Sequence, residues 1–493
     1  MKLAHLAPAG VVLLALGVIA GAAQLAAPAA PGPVHASVAP QQVAVTSAAR
    51  ACPPVPGGGP GRVAFIAALP STGPSTGPSG GAGQAELAPL PLAGVALRAL
   101  SPISPAQPGA LSMLTTPAAQ SASKQATTVL QGWSVTATGT MAQAMEAEEA
   151  TGAGLASVRC GEPGSDIWFV GAGRQGGVAQ IQLDLMNVDA LPASVDIDVI
   201  TDAGLVQGDG ETGITVAPHQ TVTESLSSMV AGSSVVAIEV RTSIGRVAAD
   251  VSESSSHGGT ASWLPSTVPP STQLVIPGVP PSGGAAGLYI VVPGSANARV
   301  SVLALSAQGR YRPFGSQTVD LPGDSASYVP LTPLGGTAAL ELTANVPVTA
   351  AVLVPGSGLG AFTVATAPIS EQAVVAGNAT GSGLSATIVL SAPAGPARVR
   401  LTELAATPGA TSSQVVAVPA GHTLSVPAAP PRGARHGSAF AIVITPLTGS
   451  GPLYAARLET QGQNMVASII PAVSALTTIT LPAVRDSYDA VWP

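Results

Sequence analysis

Three short anchors recur in the same order along this chain, and their spacing constrains the fold more than any other feature. The first opens an alternating run: Ala193-Ser194-Val195, Ala298-Arg299-Val300 and Ala397-Arg398-Val399. The second closes a strand ahead of proline: Val216–Pro218, Val319–Pro322 and Val416–Pro419. The third is an alanine pair in a late apolar strand: Ala248-Ala249, Ala350-Ala351 and Ala455-Ala456. The copies lie about 97 to 105 residues apart. A fixed period of this kind means one supersecondary unit used repeatedly.

Each copy reads as β. Val195 to Ile200 alternates apolar and polar residues, and Val300 to Leu305 and Val399 to Leu404 do much the same. Turn residues follow each run: Thr201-Asp202-Ala203-Gly204, Ser306-Ala307-Gln308-Gly309 and Thr407-Pro408-Gly409. Short strands with frequent turn signals, in blocks of about 100 residues, indicate sandwiches. The expected fold class is therefore all-β: tandem Ig-like β-sandwich repeats after an N-terminal signal or anchor helix. One short helix is allowed over Met141–Ala150, on propensity. Propeller-like blades closing into a ring, completed by the N-terminal strands, are the alternative architecture. The repeat length argues against it, since blades run about 40–50 residues.

The N-terminus predicts export. Met1-Lys2 is a short positive start, no charge occurs from Ala7 to Ala30, and Val11 to Ala20 is the apolar centre. That run of about 24 residues suffices for a bilayer, which needs about 20. It favours a retained single-pass anchor, with cleavage near Ala20-Gly21-Ala22 or Val34-His35-Ala36 as the alternative. The expected location is extracytoplasmic, membrane-anchored or secreted. The mean hydropathy of +0.44 then reflects alanine and valine in strands. The nearest approach to a second span, Ala338 to Val354, is broken by Glu341, Asn345 and Pro347.

The expected boundaries are 1–30 for the leader, 31–60 for a Pro/Gly/Ala linker and 61–158 for an N-terminal β region with a mobile loop at 70–84. Three sandwich repeats follow at 159–268, 269–368 and 369–493. Strands are expected at Arg62–Leu69, Gly109–Leu114 and Thr127–Thr140. The two cysteines, Cys52 and Cys160, favour a disulfide in an oxidising compartment. A lone catalytic thiol or a metal site is the other use of such residues, and two distant cysteines supply too few metal ligands.

Composition excludes some classes of function. Only 9% of residues are charged and 3% aromatic, and the net charge is −7. The lysines are Lys2 and Lys124 alone, and the arginines are scattered, so no cationic cluster is available for nucleic acid. Gly171-Ala172-Gly173-Arg174-Gln175-Gly176 matches a dinucleotide pattern, but an alternating strand, Gln180 to Leu185, follows it where a helix is needed. Gly73-Pro74-Ser75-Thr76-Gly77 resembles a nucleophile elbow only as text, because it lies in low-complexity sequence. The acids Asp184, Asp189, Asp196, Asp198, Asp202, Asp209 and Glu211 lack calcium-loop spacing. His5, His35, His219, His257, His422 and His436 lie far apart. No catalytic, cofactor-binding or metal-binding residue is assigned, and no cofactor is expected.

The run Gly154-Leu155 to Cys160-Gly161-Glu162-Pro163-Gly164-Ser165-Asp166-Ile167-Trp168-Phe169-Val170-Gly171, with Cys52-Pro53 just after a leader, resembles a known family. It is similar to the exported proteins of high-GC Gram-positive bacteria catalogued as domain of unknown function 5719. The resemblance implies a compartment and an architecture, and no chemistry. Within the run, Trp168 and Phe169 are expected to be structural core aromatics, Trp168 beside the Cys52–Cys160 bond. The expected function is a non-enzymatic envelope scaffold that meets the membrane through an uncleaved N-terminal helix and presents loops to an envelope protein or wall polymer. An enzyme acting on envelope glycan, or a carbohydrate- or ligand-binding module, is the alternative.

Overall fold

The computed structural model describes residues 37–38, 40–67, 83–93, 111–116, 132–151, 156–174, 178–206, 212–255, 261–281, 286–313, 318–332, 334–356, 359–378, 383–405, 410–434, 438–462, 465–481 and 484–485. The leader and residues 70–82 of the loop expected at 70–84 lie outside them. The chain divides into a small unit, residues 1–43 with 479–493, and a large one, residues 44–478. The described part of the small unit begins with β1 (Ser37–Val38) and β2 (Gln41–Ala44).

Among the described residues the large unit is all-β and uses one strand order four times. Copy 1 contains β3 (Ser47–Cys52), β4 (Gly61–Ile66), β5 (Ala85–Leu90), β6 (Ser112–Thr116), β7 (Gly132–Thr138), β8 (Glu146–Thr151) and β9 (Ser157–Arg159). Its sheets are β3-β7-β5 and β6-β4-β8-β9. Copy 2 contains β10 (Asp166–Ala172), β11 (Val178–Asn187), β12 (Ala193–Thr201), β13 (Gly204–Val206), β14 (Ile214–Val216), β15 (Gln220–Ser225), β16 (Val235–Ile244), β17 (Ala248–Ser255) and β18 (Ala261–Leu264). Its sheets are β10-β16-β12-β13, with β14 also on β12, and β15-β11-β17-β18.

Copy 3 contains β19 (Ser271–Val279), β20 (Gly287–Val292), β21 (Ala298–Ser306), β22 (Gly309–Tyr311), β23 (Val319–Leu321), β24 (Ser325–Pro330), β25 (Ala338–Val354) and β26 (Ala361–Val364). Here one long strand serves both sheets: the first half of β25 pairs with β19 and β21, the second half with β20 and β26. Copy 4 contains β27 (Ala373–Asn378), β28 (Leu384–Ala392), β29 (Ala397–Ala405), β30 (Thr411–Val418), β31 (His422–Ala428), β32 (Phe440–Pro446), β33 (Tyr454–Gln461) and β34 (Met465–Ala472). Its sheets are β27-β32-β29-β30 and β31-β28-β33-β34. The chain then enters the small unit, where β35 (Thr478–Leu481) pairs with β2 and β36 (Val484–Arg485) with β1.

The anchors fall at equivalent places. Ala193 faces Val216, Ala298 faces Leu321 and Ala397 faces Val418 across a strand pair. The alanine anchor needs a shift of one residue in copy 2: Ala249, Ala350 and Ala455 face their own interiors, whereas Ala248, Ala351 and Ala456 face a neighbouring copy. Ala147 of β8 takes the interior position in copy 1. The helix allowed over Met141–Ala150 is replaced by a single 3-10 turn, Gly139–Ala142, and by strand β8. Pairing of β8 with β4 on one side and β9 on the other decides this against helix propensity.

The copies pack head to tail in a closed cycle. Ala51 and Leu90 of copy 1 meet Met186 and Ala248 of copy 2. The copy 2 core continues into Tyr289, Val291 and Phe362 of copy 3, and the copy 3 core into Val389, Ala456 and Ile469 of copy 4. Ala64 and Ile66 of copy 1 then meet Val374, Ala376 and Val443 of copy 4. At every seam the opening strand of one copy touches the alanine strand of the next: β3 on β17, β10 on β25, β19 on β33 and β27 on β8. One heterologous contact repeated four times closes a ring. The alanine-bearing strands are therefore largely buried on both faces. Buried on both faces, a strand loses the apolar–polar alternation, as in the fully buried run Gly287–Val292. This placement accounts for a high hydropathy outside any membrane-spanning segment. Among the described residues no helix is long and apolar enough to cross a membrane.

Candidate functional site

With so few charges in the chain, the buried ones mark where polar groups are put to use. Several of them lie in copy 1 or across its seam with copy 4. At the seam with copy 4, Glu148 on β8 reaches Arg457 on β33, with Nη1 to Oε1 at 2.6 Å, and Glu459 lies 3.6 Å from Nη2. Arg457 is fully buried and Glu148 nearly so. Arg457 Nη2 also donates to Ser157 Oγ on β9 at 2.6 Å, Ser157 donates to Ser468 Oγ on β34, and Ser468 donates to Glu459. The Gly377 N–H completes the set by donating to Glu148 Oε2 at 3.0 Å. Burial alone would push the Arg457 guanidinium down, but Glu148 and Glu459 more than offset it. Burial raises the Glu148 carboxyl in spite of Arg457.

Gly377 is required by this approach. A Cβ there would stand 2.9 Å from the Glu148 carboxylate. Gly377→Ala should displace Glu148 and lower stability by about 1–3 kcal/mol, read from denaturant melts. A variant as stable as the parent would show that the carboxylate has room to move.

Within copy 1, Glu146 on β8 accepts from Arg50 Nε on β3 at 3.2 Å and from Arg159 Nε on β9 at 2.9 Å. The disulfide joins Cys52, at the end of β3, to Cys160, just after β9, so it closes copy 1 beside this cluster. Asp184 on β11 and Asp250 on β17 are register partners and both are buried. Burial raises Asp184 to about 6, opposed by a 2.5 Å hydrogen bond donated by Thr223. Burial and the neighbouring Asp184 charge lift Asp250 well above the usual carboxylate range against Arg159. Each carboxylate of such a pair opposes ionisation of the other.

Breaking the disulfide releases a loop of 108 residues. Cys52→Ser with Cys160→Ser should cost about 2–5 kcal/mol in urea unfolding. No loss on reduction of the parent chain would rule the disulfide out as a stabilising link.

Two more acids point into copy interiors. Glu149 faces Val63 and Val158, and Glu253 faces Ile181, each among apolar neighbours. Burial raises Glu149 well above its usual value and Glu253 to about 8. At the copy 2–copy 3 seam a cavity of about 240 Å³ is lined by Tyr289, Tyr328, Leu353, Pro355 and the glycines 287, 356 and 360. The two tyrosine rings meet edge to face at 5.3 Å. Burial, then Tyr328 and Glu253, raises the Tyr289 hydroxyl.

The residues singled out in the sequence fall as follows. Trp168 and Phe169 are buried in the copy 2 core, while the tryptophan opposite Cys52 is Trp133. Strand β11 follows the glycine pattern at 171–176, whose residues 175 and 176 lie outside the described set. The acids of copy 2 go to separate structural partners. Asp189 pairs with Arg246, Asp198 with Arg241, and Asp196 and Asp202 accept from Gly213 N–H and Ser234 N–H. Asp209, Glu211, His257 and His436 lie outside the described residues. The sequence reading missed Glu146, Glu148, Glu149, Arg457 and Glu459. Their one visible signal was an acidic run, Glu146 to Glu149, in a chain that is 9% charged.

The model of the family of unknown function DUF5719 matches residues 115–429, from within copy 1 into copy 4. The chain belongs to this family. The DUF5719 match spans the seams between copies 2, 3 and 4, and stops short of β33 and β34, where Arg457 and Ser468 lie. No curated protein matches the chain.

Proposed function

We propose that this DUF5719 chain is a non-enzymatic cell-envelope protein, outside the cytoplasmic membrane, that serves as a structural or interaction scaffold. In this reading the sheet pairs are Ig-like sandwiches, the uncharged run Ala7 to Ala30 is a signal or membrane anchor, and an envelope protein or wall polymer is the partner. The observation that carries it is the use of buried charge. The largest ionic clusters are buried: Glu148–Arg457–Glu459 ties copy 1 to copy 4 and holds the ring shut, and Arg50–Glu146–Arg159 ties β3, β8 and β9 together within copy 1. The disulfide supports an oxidising location. The cavity beside Tyr289 and Tyr328 favours a ligand-binding module as the second reading.

Two measurements test the proposal together. A C-terminal tag on the chain in intact cells should be cut by added protease, as an exported domain requires. Purified wall glycan incubated with the full chain should release no soluble fragments. Protection of the tag would overturn the compartment, and fragment release would replace the scaffold with an envelope-glycan enzyme.

A further inference from the structure

Copy 4 differs from the other copies at one sheet edge. In copy 2 that edge is broken into β13 and β14, and in copy 3 into β22 and β23, each of three residues. In copy 1 the edge strand β5 carries exposed Glu86 and half-buried Pro89. Breaks, charges and proline are the usual means of keeping a sheet edge from pairing with another chain. Copy 4 has none of them. Its edge strand β30, Thr411-Ser412-Ser413-Gln414-Val415-Val416-Ala417-Val418, is a continuous eight residues without charge, glycine or proline. It pairs with β29 in unbroken register from Leu404–Thr411 to Ala397–Val418. Among the described residues no strand pairs with its other side. Val415 is half exposed.

The row behind the edge is cationic. Arg398 and Arg400 on β29 face Ala417 and Val415 across the pair, and both are exposed. Neither guanidinium has an ion-pair partner among the described residues. In a chain of net charge −7, two adjacent unpaired arginines beside a neutral edge set a preference. A strand added at the usual spacing of about 4.8 Å would place its alternate side chains within reach of both.

We propose that the free edge of β30 accepts an extended peptide segment of a partner protein, carrying carboxylates at alternate positions, as an added antiparallel or parallel strand. Main-chain hydrogen bonds supply the affinity, and Arg398 and Arg400 select the acidic sequence. The inference stands independently of the compartment proposed above, since it rests on the edge alone.

The probe is an acetylated, amidated octapeptide alternating Val and Glu, added to the full chain. It should slow amide hydrogen exchange at residues 411–418 and bind about tenfold more tightly than the Val/Lys counterpart. Val415→Asp, an exposed change checked for folding by its melting curve, should weaken binding about tenfold or more. Arg398→Gln with Arg400→Gln should remove the discrimination between the two peptides while leaving β30 protected by either. Exchange at 411–418 unchanged by peptide overturns the proposal. So does equal binding of both peptides to the parent chain. Protection that rises with the concentration of the chain alone would make the edge a contact between copies of this chain and would equally overturn an acidic peptide as its occupant.

Discussion

Arg457→Met should lower the stability of the large unit by about 3–5 kcal/mol. Removing one member of a buried ion pair leaves the other charges without water or partner, and here two are left, Glu148 and Glu459. The loss should appear in urea unfolding and as faster amide exchange in β9 and β34, which meet at that seam through Ser157 and Ser468. Adding Glu148→Gln and Glu459→Gln to Arg457→Met should recover part of the loss, because groups in one network are not additive. A single variant within about 0.5 kcal/mol of the parent would mean that the first and last copies are held by apolar contacts alone.

Glu253→Gln should change the pH dependence of stability more than stability in acid. In the folded chain the Glu253 carboxyl titrates at about 8, against 4.5 for the ordinary group. Below about pH 4.5 both states are protonated and burial carries no electrostatic penalty. Between 4.5 and 8 the unfolded chain has released the proton and the folded chain has not, so stability falls as pH rises. Above 8 the loss is complete, with a ceiling of about 5 kcal/mol. The glutamine variant should therefore match the parent near pH 4.5 and exceed it increasingly up to pH 8. Glu149, Asp184 and Asp250 are shifted in the same direction, so the parent should melt highest in mild acid. A parent melting temperature that climbs steadily from pH 5 to pH 8 would contradict ionisation-linked burial at these sites.

The repeat was legible because its anchors have mechanical roles. Ala193, Ala298 and Ala397 begin strands whose partners end at the second anchor, and that pairing fixes their spacing. Copy 1 does not show itself as a copy in the sequence. Its strands are separated by long inserts, and only Ala147 preserves an anchor position, inside a stretch with helical propensity. The repeat length of about 100 residues argues against propeller-like blades. Closure by an N-terminal element is found, but with two-sheet units in place of blades.

The candidate site was barely legible. Arg457 and Ser157 stand 300 residues apart, and no local pattern relates them. Glu148 reads in sequence as one member of an acidic run, and the same is true of Glu149. Strand alternation sends the first to the seam and the second into the copy 1 interior, so adjacent residues meet opposite surroundings.

By itself, the sequence determined the β class, the period of about 100 residues and the cysteine pair available for a bond, because alternation, turn residues and composition are local properties. Tertiary structure decided that the described strands form four copies, that the opening strand of each packs on the alanine strand of the next, and that Glu148 of the first copy meets Arg457 and Glu459 of the last. Those outcomes depend on which faces remain apolar after each sheet pair has formed, and that is settled only when distant copies come into contact.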